Sequence, residues 1–297
     1  MAQASSPKEK HVFLRYTQAE LDRNYDQRGW VSNANEVIAR YISASKEVRS
    51  TLTYRTEAYG DHPDEQMDIF PAPRPSGAGF IFLHGGAWRN FTNDDFSFVA
   101  KEFVTSGITT VIVNFSKLPA VRLPDVVVQV RRAIVCIYRR AATFGIDPQR
   151  LYLCGHSSGA HLATTALLTD WSAFGVPQDP IKGCACISGC YDLHPVLLSA
   201  RADYIKLSAE EARALSPQKH AKLLPCPLLV AYAEHDSDEF RRHSEDFAQA
   251  LRRGGRLFAL LRLPAVNHFE IIELLSRPGA VLLQAILTHL RETTAFS

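Results

Sequence analysis

The sequence predicts the α/β class: a mostly parallel central sheet of about eight strands with helices on both faces, a small helical cap and a helical N-terminal extension. Three observations predict it. Short apolar runs such as GFIFLH and TTVIVNF lack polar alternation, which marks strands buried on both faces. Helical patterns separate these runs, and parallel strands require such crossovers. No internal repeat, low-complexity tract or linker divides the 297 residues. The expectation is therefore one domain over 1–297, a length at which a sizeable core is easily buried.

The elements follow in order. Residues 17–47 read as helical: Thr17 with Glu20 forms a capping-box pattern, and apolar residues recur at Leu21, Tyr25, Val37, Ile38 and Tyr41. The helical extension is placed over 1–50. Strand-like runs come at 51–59 and 66–70, and the Pro-rich PAPRPSG (71–77) reads as a turn. A buried strand at 79–84 precedes a helix at 96–107 that Gly107 ends. The strand 109–115 leads to a helix over roughly 124–144. LYLCG is the next strand, and a small-residue helix starts after Ser157. Strands at 182–188 and 227–234 flank a cap over about 189–226. A helix at 238–253, a strand at 256–263 and a closing helix at about 278–292 complete the chain.

Composition excludes several classes. Lys+Arg of 33 against Asp+Glu of 31 leaves almost no net charge, so neither nucleic acid nor an anionic membrane is an expected partner. The paired arginines at 131–132 and 139–140 have the spacing of one solvated helix face. MAQASSPKEKHVF lacks the apolar run of a leader, and no stretch of about 18 apolar residues occurs, so a cytoplasmic setting is expected. Six scattered cysteines suit small buried hydrophobes under reducing conditions. Cys184 and Cys186 lack the spacing of a zinc site, and no metal is expected.

Four segments carry chemistry. Gly155-His156-Ser157-Ser158-Gly159 is a G-x-S-x-G pentapeptide between a strand and a helix, the setting of a nucleophile elbow. Ser157 would also sit at a helix N-terminus, where free N–H groups favour developing negative charge. His84-Gly85-Gly86 follows a strand and has the form of an oxyanion loop. The N–H groups of Gly85, Gly86 and Ser158 are the expected oxyanion donors, each contributing roughly 3–4 kcal/mol in hydrolases. An acid and then a histidine should follow, each after a late strand. Asp236 stands first for the acid, with Asp238 its rival, both being candidate helix N-caps. His268, in LPAVNHFEII, is the expected base.

Together GHSSG, HGGAW, EHDSDEF and NHFEII resemble the α/β-hydrolase superfamily, and within it the arylformamidase (kynurenine formamidase) and esterase group. LDRNYDQRGWVSNANEVIARY is similar to that group's leader segment, so the resemblance runs from about residue 14 to 290. It implies a serine hydrolase that cleaves a small aryl-bearing amide or ester through an acyl-enzyme, with an activity like that of N-formylkynurenine formamidase. A short-chain carboxylesterase and a catalytically silent binding module remain alternatives. Where the resembled formamidases tend to carry tyrosine in the oxyanion loop, this chain has Ala87.

The cap is too short for a large lipase lid, which predicts a modest aromatic pocket. Trp88 and Tyr191 are expected to line it, with Phe115, His194 and Tyr204 as further candidates. Partners reduce to a small-molecule substrate, with a homodimer left open. The chemistry calls for no cofactor.

Overall fold

The computed structural model describes residues 10–294. Most of the segment that bears on a leader therefore lies outside the described residues. Eight strands form one sheet in the order β1-β2-β4-β3-β5-β6-β7-β8. They are β1 (Arg55–Ala58), β2 (Gln66–Phe70), β3 (Gly77–Leu83), β4 (Thr109–Val113), β5 (Ile146–His156), β6 (Ile181–Ile187), β7 (Leu228–Ala233) and β8 (Leu257–Leu263). β1 and β2 pair antiparallel at one edge, and every pairing from β4 to β8 is parallel.

Alternate residues of the central strands feed two separate cores. Ile81, Leu83, Leu151 and Leu153 face one, and Phe80, Phe82, Tyr152 and Cys154 face the other. The first is covered by α5 (Leu123–Arg140), α6 (Ser158–Leu167) and α10 (Asp238–Arg253). The second lies beneath α3 (Ala34–Thr51), α4 (Ala100–Thr105) and α12 (Val281–Thr294). This two-sided burial is why the strand sequences show no polar alternation. Five of the six cysteines are buried in these layers, and Cys136 is half-buried. Among the described residues, no single helix is long and apolar enough to cross a membrane.

Differences from the sequence expectations are local. The helical stretch 17–47 is three helices: α1 (Gln18–Tyr25), α2 (Gln27–Trp30) and α3. Asp26 makes the first break, because it ends α1 while its carboxylate accepts from Gly29 N at the start of α2. The Thr17–Glu20 capping box is present. The run 51–59 is strand only over β1, since α3 continues to Thr51; β1 is a mostly exposed edge strand. The helix expected at 96–107 begins as a 3-10 turn over Asn93–Val99 and passes into α4. The closing helix α12 starts at Val281, a few residues later than expected. Between β6 and β7 the chain forms α7 (Leu193–Leu198), α8 (Ala202–Ile205) and α9 (Ala209–Ala214), then a 3-10 turn at Pro217–Leu223. The short α11 (Glu270–Glu273) follows the loop after β8.

Candidate active site

The C-terminal ends of β3, β5 and β8 open onto one cavity of about 450 Å3, and the loop after β7 lies behind it. At its floor, β5 turns into α6 through Ser157, whose φ of 56° and ψ of −122° lie outside the region L-residues favour. Such a conformation costs roughly 1–3 kcal/mol and persists only where the surroundings dictate it. Here they do. A Cβ on Gly155 would lie 2.3 Å from the Gly159 carbonyl oxygen, and one on Gly159 would lie 2.1 Å from that of Leu83. Only glycine permits β3, β5 and α6 to approach this closely.

Three side chains from distant parts of the chain form one hydrogen-bonded line. His268 Nδ1 lies 2.6 Å from Asp236 Oδ1, and its Nε2 lies 2.9 Å from Ser157 Oγ. A carboxylate at Nδ1 holds the ring proton there, so Nε2 is left to accept from the serine hydroxyl. This is the arrangement that activates a serine for attack on a carbonyl. The three residues are buried, and Phe240 packs edge-on against the His268 ring at 4.7 Å. Asp236 is not a helix cap: Ser237 holds the N-cap position of α10, and Asp238 begins the helix itself. Asp236 Oδ2 instead accepts from Ser188 Oγ at 2.6 Å and Ala233 N at 2.8 Å. Asp238 pairs with Arg241 on the surface and has no contact with His268.

The loop after β3 forms the opposite side of the floor. A Cβ on Gly85 would stand 3.0 Å from that of Ser157, so the two backbones are in contact. His84 Nδ1 lies 2.8 Å from the Gly85 carbonyl oxygen, and the ring stacks on Phe115 with centroids 4.3 Å apart. Burial pushes the His84 pKa down to about 4, so the neutral ring donates through Nδ1. Because a trans peptide sets N–H opposite C=O, fixing the Gly85 carbonyl also aims the Gly86 N–H. The Ser158 N–H is free as a first-turn helix donor, and the Ser158 hydroxyl accepts from Trp88 N at 3.2 Å, tying loop to elbow.

His156 completes the floor. Its Nε2 lies 2.9 Å from the His268 carbonyl oxygen, and burial, followed by the nearby His268, holds the ring neutral. Nε2 therefore carries the proton and steadies the His268 backbone, and the buried Nδ1 has no partner.

The pocket residues differ from expectation. Trp88 is buried away from the cavity, because positive φ at Ala87 and Trp88 turns its indole inward, where Nε1 donates to His161 Nδ1 at 3.3 Å. Tyr191 is also buried, stacked on Phe247 at 4.1 Å. Neither lines the cavity, and neither do Phe115 and His194. Tyr204 does, with Tyr25, Tyr41, Phe91, Phe96 and Phe269. The N-terminal helices thus supply a wall of the site, the Tyr41 hydroxyl donating to the Phe269 carbonyl. Sequence reasoning placed His84 and His156 in their motifs but missed the bracing role of each ring, and it missed Ser188 and this wall altogether. The only signal for Ser188 was a polar residue ending an apolar strand.

Comparisons with known proteins show the family and the fold. The family described as BD-FAE matches residues 67–175, and the Prolyl oligopeptidase family matches 133–279. The kynurenine formamidase of Danio rerio is 33% identical over 282 residues, covering 90% of this chain and 94% of that protein. That of Salmo salar is 34% identical over 271 residues, covering 86% and 90%. The solved structure of a thermostable esterase from Pseudomonas putida shares the fold with a TM-score of 0.68 at 20% identity, covering 90% of this chain and 92% of that one.

Proposed function

Because the chain belongs to the kynurenine formamidase family of α/β hydrolases, we propose that it hydrolyses a small N-formyl anilide, N-formylkynurenine being the substrate to test first. The observation that carries the reading is the Asp236–His268–Ser157 hydrogen-bonded line at the floor of an aromatic-walled cavity. Ser157 Oγ attacks the formyl carbon as His268 Nε2 takes its proton, and Asp236 holds the resulting imidazolium. The oxyanion is met by N–H groups of Gly85, Gly86 and Ser158. His268 then gives its proton to the aniline nitrogen, which is a poor leaving group without it. Water, deprotonated by the same histidine, releases formate from the formyl-serine.

A formyl group is the smallest acyl group and needs room only for a hydrogen beside the oxyanion donors. The ring of the leaving group then occupies the aromatic wall. Measuring kcat/KM for N-formylkynurenine, phenyl acetate and p-nitrophenyl hexanoate on one sample tests this, with the formyl anilide expected to rank first. Constants that rise with acyl length, with formylkynurenine untouched, would leave a carboxylesterase in its place.

A further inference from the structure

The cavity wall holds a cation that forms no ion pair with a carboxylate among the described residues. Arg201, between α7 and α8, is 8% exposed and lines the same cavity as Ser157. Its Nε and Nη2 both donate to the Tyr25 carbonyl oxygen, at 3.0 and 2.6 Å. Its Nη1 is buried without a partner, and among the described residues it forms no ion pair. Aromatic rings surround the charge instead: the guanidinium carbon lies 5.6 Å from the Tyr25 ring centroid, 5.9 Å from that of Trp88 and 5.7 Å from that of Phe240.

Burying a guanidinium with an unused N–H and no counter-ion is costly, and cation–π contacts recover only part of that cost. Other charges at the cavity do not repair it. Asp26 and Asp203 are exposed, where water screens them, and half-buried Asp22 already accepts from Gln18 Nε2 and Ala200 N. Arg28 and Arg89 are exposed cations of the same rim and add to the local positive charge. Two further buried atoms on this cavity's lining residues have no partner, Gln27 Oε1 and His156 Nδ1, and both are acceptors. The unmatched donor with full charge is Arg201.

We propose that Arg201 is a specificity-determining residue that binds a carboxylate borne by the substrate. The proposal deepens the formamidase reading and rests on it for one point only: a formyl group carries no substituent, so the carboxylate must belong to the leaving group. Arg201 offers such a group a charge-assisted hydrogen bond from a buried guanidinium with an unused N–H.

Competition against phenyl acetate hydrolysis tests this, with benzoate and benzamide as an isosteric charged and neutral pair. The wild type should bind benzoate more tightly than benzamide. Arg201→Gln should weaken benzoate by roughly 10-fold or more, the scale of a hydrogen bond to a charged group, and benzamide far less. Arg201→Lys should fall between, keeping the charge and losing the fork. A wild type that does not distinguish the two compounds overturns the proposal. So does a Gln variant that weakens both equally, the mark of a merely structural contact to Tyr25. If that variant does not fold, the wild-type ratio and the Lys variant still decide. Because phenyl acetate has no formyl group, benzoate discrimination without formylkynurenine turnover would sink the formamidase reading and leave the carboxylate site standing.

Discussion

The floor and the wall of the cavity are held by different physics. The floor is backbone geometry: glycines at 155 and 159 where any side chain would collide, a tight approach at Gly85, and a serine forced into positive φ between strand and helix. The wall is a buried polar network between remote segments. Tyr25 Oη donates to Glu239 Oε2 at 3.0 Å and lies 2.8 Å from His243 Nε2, while Ser237 Oγ donates to the Asn24 carbonyl at 2.7 Å. Burial pushes the His243 pKa down to about 3, so the neutral ring donates from Nε2 to Tyr25 and accepts at Nδ1 from Tyr191 N. The difference teaches that the chemistry can be rigid while its specificity is set by contacts that few local rules constrain. Changes to the floor should act on kcat, and changes to the wall on stability and substrate choice.

The largest effect should come from removing the floor's reacting groups. Ser157→Ala deletes one hydroxyl and leaves the elbow's backbone intact, so unfolding should be nearly unchanged while kcat falls by roughly 10⁴-fold or more. Asp236→Asn should come next, since the amide favours the wrong His268 tautomer, with a loss of roughly 10³- to 10⁴-fold. A Ser157 variant that keeps a tenth of wild-type turnover would refute the division, because catalysis would then not depend on the elbow.

The wall should respond in the opposite sense. Tyr25→Phe keeps the ring in the cavity but strands the buried His243 N–H and removes one of the donors to Glu239. Stability should drop by about 1–3 kcal/mol in urea unfolding. Arg242 still holds Glu239 at 2.7 Å, so the fold survives the change. KM should rise, because the Tyr25 segment anchors Arg201, and kcat should move far less than with Ser157→Ala. If kcat collapses at unchanged stability, Tyr25 belongs to the reacting machinery and the comparison fails.

The same contrast explains what could be read from the sequence. The floor was legible because steric demands leave contiguous marks: paired glycines around Ser157, a His-Gly-Gly turn after a strand, then an acid and a histidine after later strands. The parallel sheet was legible because burial on both faces removes polar alternation. The wall was not, because its contacts join residues some 180 to 220 positions apart, as with Tyr25 and His243 at a separation of 218. Tyr25 and Tyr41 fall on helical apolar positions, and periodicity does not say that such a face borders a cavity. Trp88 and Tyr191 failed as pocket residues for the reverse reason. Their neighbours in the chain reach the site, but the positive φ at Trp88 and the stacking of Tyr191 on Phe247 direct both rings into the core.

The smallest effect is expected two residues from one of the largest. Asp238 is an acid like Asp236 and follows the same strand, yet its side chain is 37% exposed and pairs only with Arg241 one turn along α10. Ser237 is the N-cap, with its hydroxyl engaged by Asn24 and Gln27. Asp238→Asn therefore removes no cap. It loses a favourable charge–dipole interaction at the start of the helix and an exposed ion pair, together less than about 1 kcal/mol. Added salt should shrink that loss, because water and ions reach the pair. Turnover should match the wild type within error, since nothing links Asp238 to His268. Urea unfolding at low and high salt, beside kcat on one ester, measures both quantities. A crippled Asp238→Asn with an active Asp236→Asn would show that the wrong carboxylate was placed on the histidine, and the floor would no longer be the part of the molecule that its hydrogen bonds describe.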